Sequence, residues 1–199
     1  VNMRESEIKK YQKLNDLAQA NGIVIFGGKE DTNIPLCEIR QAFNVEENMY
    51  NRSFTDLSIE DAILVYDNCI SSISPETVFI HIGDCDIDML KENPAEFDNK
   101  YRELIKHIRT QNKKCRIAVV SLRNYDSNPE IADVNKHLKY IADSERCEFG
   151  DISKRHVWNP KSSMDAASFV RTIGFVRTLK VQRPLHDLIR MLFCSEICA

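Results

Sequence analysis

The sequence predicts a three-layer α/β sandwich, in which helices cover both faces of a mainly parallel sheet of about five strands. Three observations predict it. Apolar runs of strand length alternate with helix-like segments along all 199 residues. Runs such as Thr77 to Ile82 lack polar alternation, which is typical of strands covered on both faces. No repeat or linker rich in Gly, Pro or Ser divides the chain, so residues 1–199 are expected to form a single domain.

Each element follows from its apolar spacing and its boundary residues. A first helix is predicted from Glu5 to Ala20, with Asn21-Gly22 as its C-cap, and the run from Ile23 to Phe26 is the first buried strand. Ser58 and Asp61 resemble a capping box. The other predicted segments are a short helix from Pro35 to Phe43, a strand or turn from Met49 to Phe54, a helix from Ser58 to Ile70, strands at Val78–Gly83, Arg116–Leu122 and Cys147–Ile152, helices opening at Asn93-Pro94 and Asn128-Pro129, and a helical tail from Ser162 to Phe193.

Composition excludes several classes of protein. Hydrophobic content of 43% and charged content of 29% are typical of ordinary globular proteins, and a net charge of -3 favours neither nucleic acid nor an anionic membrane as partner. No apolar run is long enough to cross a bilayer, and the charged N-terminus does not resemble a signal peptide. The seven cysteines are scattered without CxxC spacing, which favours a reduced, cytoplasmic protein.

The first strand ends on paired glycines, Gly27 and Gly28, followed by Lys29. A tight turn at this point presents the next side chain at the carboxyl edge of the sheet, where open α/β proteins build their sites. Gly83 ends another buried run in the same way. We therefore expect Lys29 and Cys85 to lie at the carboxyl ends of adjacent strands.

Several segments, in their order, resemble the SGNH (GDSL) hydrolase family. They are Asn51-Arg52 with Phe54-Thr55, Val78 to Asp86, Asn93 to Leu122, Val134 to Leu138, and Glu148 to Ser153, so that the resemblance covers nearly the whole chain. The resemblance implies a flavodoxin-like sandwich. Members are mostly esterases, lipases and acetyl-hydrolases, which use a Ser-His-Asp triad and an oxyanion hole.

The residues at the family's catalytic positions depart from its pattern. Lys29 stands where the resemblance implies the nucleophilic serine, Asp56 where a glycine N–H would bind the oxyanion, and Cys85 where an asparagine would do so. In the last block Asp165 keeps the family's aspartate, while Ser168 replaces the histidine. Protonated lysine cannot accept an acyl group, a carboxylate opposes an oxyanion, and a thiol is a weak donor.

These departures predict a pseudo-hydrolase that acts as a binding or interaction module for an unidentified small molecule or protein. The cleft would be formed by residues of three loops: Gly27, Gly28, Lys29, Asp84, Cys85 and His156. We further expect the Lys29 ammonium to pair with Asp56 or Asp165, as an electrostatic plug.

Two other readings stay open. One is an ester hydrolase with a rewired site that uses Cys85 or a hydroxyl such as Ser168, with His156 as the base; the other is a scaffold whose cleft is filled by side chains. Strand alternation would put His81 and Cys85 on one face, with His81 deep in the sheet.

No pattern predicts a metal or another cofactor. Asp84, Asp86 and Asp88 superficially suggest a calcium loop, but they lack the glycine and the distal glutamate of an EF-hand. We expect these three residues to be solvated or to cap a helix.

Overall fold

Five parallel strands form one sheet at the centre of the protein. The computed structural model describes residues 3–42, 44–124, 126–153, 189, 192 and 193. The order of the strands across the sheet is β2-β1-β3-β4-β5. The strands are β1 (Ile23–Gly27), β2 (Met49–Asn51), β3 (Thr77–His81), β4 (Arg116–Val120) and β5 (Glu148–Gly150). The helices of the described residues are α1 (Met3–Asn15), α2 (Leu36–Ala42), α3 (Ala62–Cys69), α4 (Ile87–Glu92), α5 (Pro94–Gln111) and α6 (Pro129–Ser144).

Alternate residues of each central strand face two separate cores, which confirms the three layers. Val24 and Phe26 pack with residues of α1, α3, α5 and α6 on one face of the sheet. Ile23 and Ile25 pack on the other face with α2 and with Ile189, Leu192 and Phe193. Every residue of β1 and β3 is buried, because both faces of the sheet are covered.

The two long helices begin as their sequences predict. Asn93 and Asn128 are N-caps whose side chains accept the backbone N–H of Glu96 and Glu130, and a proline follows each cap. No helix in the part of the chain that the structure describes is long and apolar enough to cross a membrane.

Three predicted boundaries are wrong. Helix α1 ends at Asn15 rather than Ala20, and the backbone N–H groups of Leu17 and Ala18 bond to the carbonyls of Leu14 and Asn15 in a tighter turn. The Asn15 side chain donates from Nδ2 to the Cys69 carbonyl and accepts from Arg52 at Oδ1. Strand β3 ends at His81, two residues before Gly83. Helix α3 begins at Ala62 rather than at Ser58, and Asp61 precedes it as the N-cap residue without a side-chain bond to the backbone. The Asp61 carboxylate instead accepts the Ser58 hydroxyl.

Candidate functional site

The strand order creates a crevice where β1 and β3 lie side by side. The connection from β1 leads to β2 on one side, while β3, β4 and β5 lie on the other side. In open sheets of this order, ligands bind at such a switch point, beyond the carboxyl ends of the strands. Each of the two strands runs into a 3₁₀ turn, Lys29–Asp31 after β1 and Asp84–Asp86 after β3. The expectation that Lys29 and Cys85 follow adjacent strands is confirmed.

A buried Asp31–His81 pair joins the ends of these two strands. Gly27 of β1 lies beside His81 of β3, and the Asp31 carboxylate folds back over Gly27. A Cβ atom at position 27 would lie 2.0 Å from Asp31 Oδ2, so the approach requires a glycine. Because a carboxylate only accepts, His81 Nδ1–H donates to Asp31 Oδ2 over 2.5 Å. Asp31 is 0% and His81 4% exposed.

Arg123, from the loop after β4, extends this pair into a charged cluster. Its Nη1 lies 2.8 Å from Glu30 Oε2 and 3.6 Å from Asp31 Oδ1. On the other side, the Phe193 ring meets the His81 ring edge to face, with centroids 5.3 Å apart. The cluster therefore connects three strands and a residue near the end of the chain.

A small pocket of about 70 Å³ opens among these residues. Its polar lining consists of Glu30, Asp31, His81, Asp84 and Arg123. The Asp84 carboxylate lies over Gly28, where an added Cβ would meet Oδ1 at 2.9 Å. Desolvation by this packing raises the pKa of Asp84, and the nearby charge of Glu30 raises it further.

Comparison with solved structures found this architecture in other proteins. A structure described as a platelet activating factor from Streptococcus pneumoniae matches with a TM-score of 0.63 at 18% identity, over 75% of this chain and 75% of that chain. A GDSL-like lipase from Bacteroides thetaiotaomicron matches with a TM-score of 0.55 at 15% identity, over 85% and 95%. The psychrotrophic esterase EstA from Pseudoalteromonas sp. matches with a TM-score of 0.54 at 15% identity, over 78% and 95%.

The chain has the SGNH hydrolase fold. No family model matches the sequence, and a search of curated proteins found no match. Sequence identities this low show a shared fold and not a shared function, which depends on the residues in the crevice.

Cys85 and Asp56 come together at the edge of the crevice in this SGNH fold. The Cys85 thiol donates to Asp56 Oδ1 over 3.9 Å, and both residues are exposed. Although Cys85 is exposed as a residue, partial desolvation of its thiol raises the pKa of Cys85 to about 11, and the charges of Asp84, Asp56 and Asp86 add to the effect. At neutral pH this side chain is therefore a thiol, not the thiolate that a nucleophile requires.

Lys29 does not form the predicted ion pair with Asp56. Lys29 is exposed, and among the residues that the structure describes it has no ion pair. Asp56 lies 3.9 Å from Arg4 instead, and the Arg4 guanidinium also donates to the Asp56 carbonyl and to the Asp61 carboxylate. Helix α1 thus holds the loop that carries Asp56. The pairing of Lys29 with Asp165 lies outside the described residues.

The acidic string after β3 has three different environments. Asp86 is 2% exposed and accepts the backbone N–H of Ile59 at 3.0 and 3.1 Å, so it is neither solvated nor a side-chain cap. Desolvation raises the pKa of Asp86 to about 6. Asp88 is exposed, as expected, whereas Asp84 is exposed as a residue but its carboxylate lies over Gly28 at the pocket, where it is partly desolvated. No group of described residues has three or more His, Cys, Asp or Glu side chains that could hold a metal ion.

His81 is a buried core histidine as expected, but it does not share a strand face with Cys85. The strand ends at His81, and the 3₁₀ turn that follows carries Cys85 into solvent. Sequence reasoning missed Asp31 and Arg123 altogether. No local signal marks Asp31, because the spacing from Gly27 does not reveal which of the charged side chains after the glycines turns inward.

Three of the predicted site residues lie outside the described residues. They are His156, Asp165 and Ser168, together with most of the predicted helical tail. Their roles stay predictions.

Proposed function

We propose that this protein is an SGNH-fold pseudo-hydrolase, a binding or interaction module that keeps the crevice without serine-based acyl transfer. The contact between Cys85 Sγ and Asp56 Oδ1 carries the proposal. Where the resemblance implies two donors for an oxyanion, a carboxylate oxygen accepts from a protonated thiol. A negative charge developing there would meet the Asp56 carboxylate, and the loss of the asparagine side-chain donor at position 85 lowers the rate by roughly 10² to 10³.

Lys29 supports the same conclusion. Its exposed side chain stands where the resemblance implies the nucleophilic hydroxyl. A protonated amine has no lone pair with which to attack an ester.

The partner we propose is a small molecule or a protein. The five cysteines that the structure describes are free thiols, which supports the cytoplasm as the compartment.

An ester hydrolase with a rewired site is the alternative, and one observation favours it. The Asp31–His81 pair holds an imidazole in a fixed orientation, as a general base requires. However, Cys85 is not among the described residues that line the pocket with His81, and its raised pKa opposes nucleophilic attack.

Hydrolysis of p-nitrophenyl acetate and butyrate by the purified full chain separates these two functions. We expect steady-state turnover no faster than the buffer reaction, because the nucleophilic hydroxyl and the side-chain oxyanion donor are both missing. Free thiols acylate once without turning over, so the initial burst has to be separated from the steady state. The matched variants are Cys85→Ala and Cys37→Ala, since Cys37 is an exposed thiol on α2. Turnover that Cys85→Ala abolishes and Cys37→Ala keeps would overturn the pseudo-hydrolase in favour of the rewired enzyme.

A further inference from the structure

We propose that Asp86 is a proton-operated latch between two loops at the edge of the crevice, closed while its carboxyl group is protonated and loosened when that group ionises. The turn after β3 carries Asp86 next to Cys85, and the loop between β2 and α3 carries Asp56 and Ile59. The Asp86 carboxylate joins the two loops, because it accepts the backbone N–H of Ile59 at 3.0 and 3.1 Å. The proposal goes beyond the proposed function, since it concerns access to the crevice and not what binds or reacts there.

The latch controls one side of the loop between β2 and α3. Helix α1 holds the other side, where the Arg4 guanidinium donates to the Asp61 carboxylate. The side chains of Leu57 and Ile59 are buried in the core and resist a large displacement. Loss of the bond from Ile59 to Asp86 therefore frees the crevice edge of the loop, while the core and α1 keep the loosened form a minor population.

Asp86 is a buried acid without a counter-ion. The residue is 2% exposed, and no lysine, arginine or histidine in the described part of the chain forms an ion pair with it. An ionised carboxylate at this position therefore meets like charges and little water. The charged and titratable side chains of the surrounding elements are Asp84 and the Cys85 thiol on the same turn, Glu60 and Asp61 on the loop, Arg4 on α1, bonded to Asp61, Asp88 and Lys91 on α4, the latter paired with Glu130 of α6, and Tyr101 on α5, whose hydroxyl donates to the Ile82 carbonyl.

These surroundings set the direction in which the latch responds to pH. Desolvation, helped by the charges of Asp84, Glu60 and Asp61, raises the pKa of Asp86 from 3.8 to about 6. Loosening the latch returns water to the carboxyl group and brings its pKa back towards 3.8. A raised pKa in the closed form favours that form at low pH, so closure is strongest below pH 3.8 and weakens as the pH rises through about 6. From pH 5 to pH 7.5 the population of the loosened form should rise about tenfold, because the closed form then loses its extra proton.

Amide hydrogen exchange of the ¹⁵N-labelled full chain tests the latch at the Ile59 N–H itself. The protection factor, which is the ratio of the intrinsic to the observed exchange rate, removes the pH dependence of the exchange chemistry. We expect the protection factor of Ile59 to fall about tenfold from pH 5 to pH 7.5. At both pH values it should be at least about tenfold lower than that of Ile80 in the centre of the sheet, because the loop opens locally without global unfolding.

Two matched variants assign the effect to Asp86. Asp86→Asn keeps an oxygen that accepts the Ile59 N–H but cannot ionise, so protection at Ile59 should no longer depend on pH. Asp88→Asn removes an exposed charge on α4 and should leave the fall in protection unchanged. In the wild type, the ¹³C resonance of the Asp86 carboxyl group should titrate with a pKa of about 6, which tests the latch without any substitution.

Three kinds of result overturn the proposal. One is a measured pKa of Asp86 at or below 3.8. Another is protection at Ile59 that is independent of pH or equal to that at Ile80, since neither leaves a local opening linked to a proton. The third is an equal effect of Asp86→Asn and Asp88→Asn on the pH dependence at Ile59.

Discussion

Replacing His81 with phenylalanine should destabilise the protein strongly, because it leaves Asp31 as a buried charge without its main partner. Phenylalanine keeps an aromatic ring against Phe193 and roughly conserves the volume, so the change isolates the polar contact. Breaking a buried pair by removing one partner costs about 3–5 kcal/mol. Asp31 still has Arg123 at 3.6 Å, which places the expected loss near the lower end, about 3 kcal/mol.

Urea denaturation at neutral pH measures this loss as a change in the free energy of unfolding. With an m-value of about 2 kcal/mol/M, 3 kcal/mol moves the midpoint by about 1.5 M. The matched control is His107→Phe, since His107 bonds Asp67 over 2.6 Å but both side chains are partly exposed. That exposed pair should contribute less than about 1 kcal/mol.

The double variant Asp31→Leu with His81→Phe removes both partners at once. The loss of unfolding free energy in this double variant should be clearly smaller than the sum of the losses in the two single variants, because no unpaired charge is left at position 31. A loss for His81→Phe no larger than for His107→Phe, or strict additivity in the double variant, would refute the reasoning.

Two further predictions concern the turn after β3. Between pH 3.8, which is the ordinary pKa of an aspartate, and a pH of about 6, Asp86 holds a proton in the folded protein that the unfolded chain releases. Its contribution to stability is therefore complete below pH 3.8 and is lost as the pH rises through about 6, a change of about 3 kcal/mol. The Asp86→Asn variant should lack this pH dependence, so its unfolding free energy should rise relative to that of the wild type between pH 4 and pH 7.5. If the difference between the two unfolding free energies does not change with pH, the prediction is wrong. The pKa of Cys85 is about 11, against 9 for an ordinary cysteine, so its thiolate fraction at neutral pH is about 100-fold smaller. The higher intrinsic nucleophilicity of a thiolate with a raised pKa partly offsets the resulting loss of reaction rate. Iodoacetamide should modify Cys85 about tenfold more slowly than a short cysteine peptide at pH 7.5, followed by mass spectrometry, and an equal rate would show that the thiol is not perturbed.

The fold was largely predictable because the two signals that indicate it, the apolar runs of buried strands and the capping residues of helices, are local. Buried strands read as continuous apolar runs, and Asn-Pro pairs mark the starts of α5 and α6 through their own side chains. The end of α1 was not predictable, since the apolar spacing continues to Leu17 while the Asn15 side chain bonds to a carbonyl 54 residues away. Likewise, Ser58 and Asp61 have the spacing of a capping box but bond to each other.

The candidate site was predictable in position but not in composition. Paired glycines at the end of β1 and a glycine after β3 indicated the carboxyl edge of the sheet, where the crevice lies. Lys29, the most conspicuous residue of the sequence, is exposed, while Asp31, two residues later, is buried. Composition and spacing carry no information about which of two nearby charged side chains turns inward.

The sequence by itself determined the layers, the parallel sheet and the edge at which a site would be found, because hydrophobic periodicity and turn residues act over a few positions. Only the tertiary structure decided which charges meet at that edge. Asp31 reaches His81, 50 residues away, because the parallel register sets Gly27 beside His81 and leaves room for a carboxylate. Cys85 meets Asp56 rather than His81 because β3 stops four residues earlier and a 3₁₀ turn redirects the chain. Contacts of this kind depend on strand register and turn direction, which are properties of the assembled sheet rather than of any single segment.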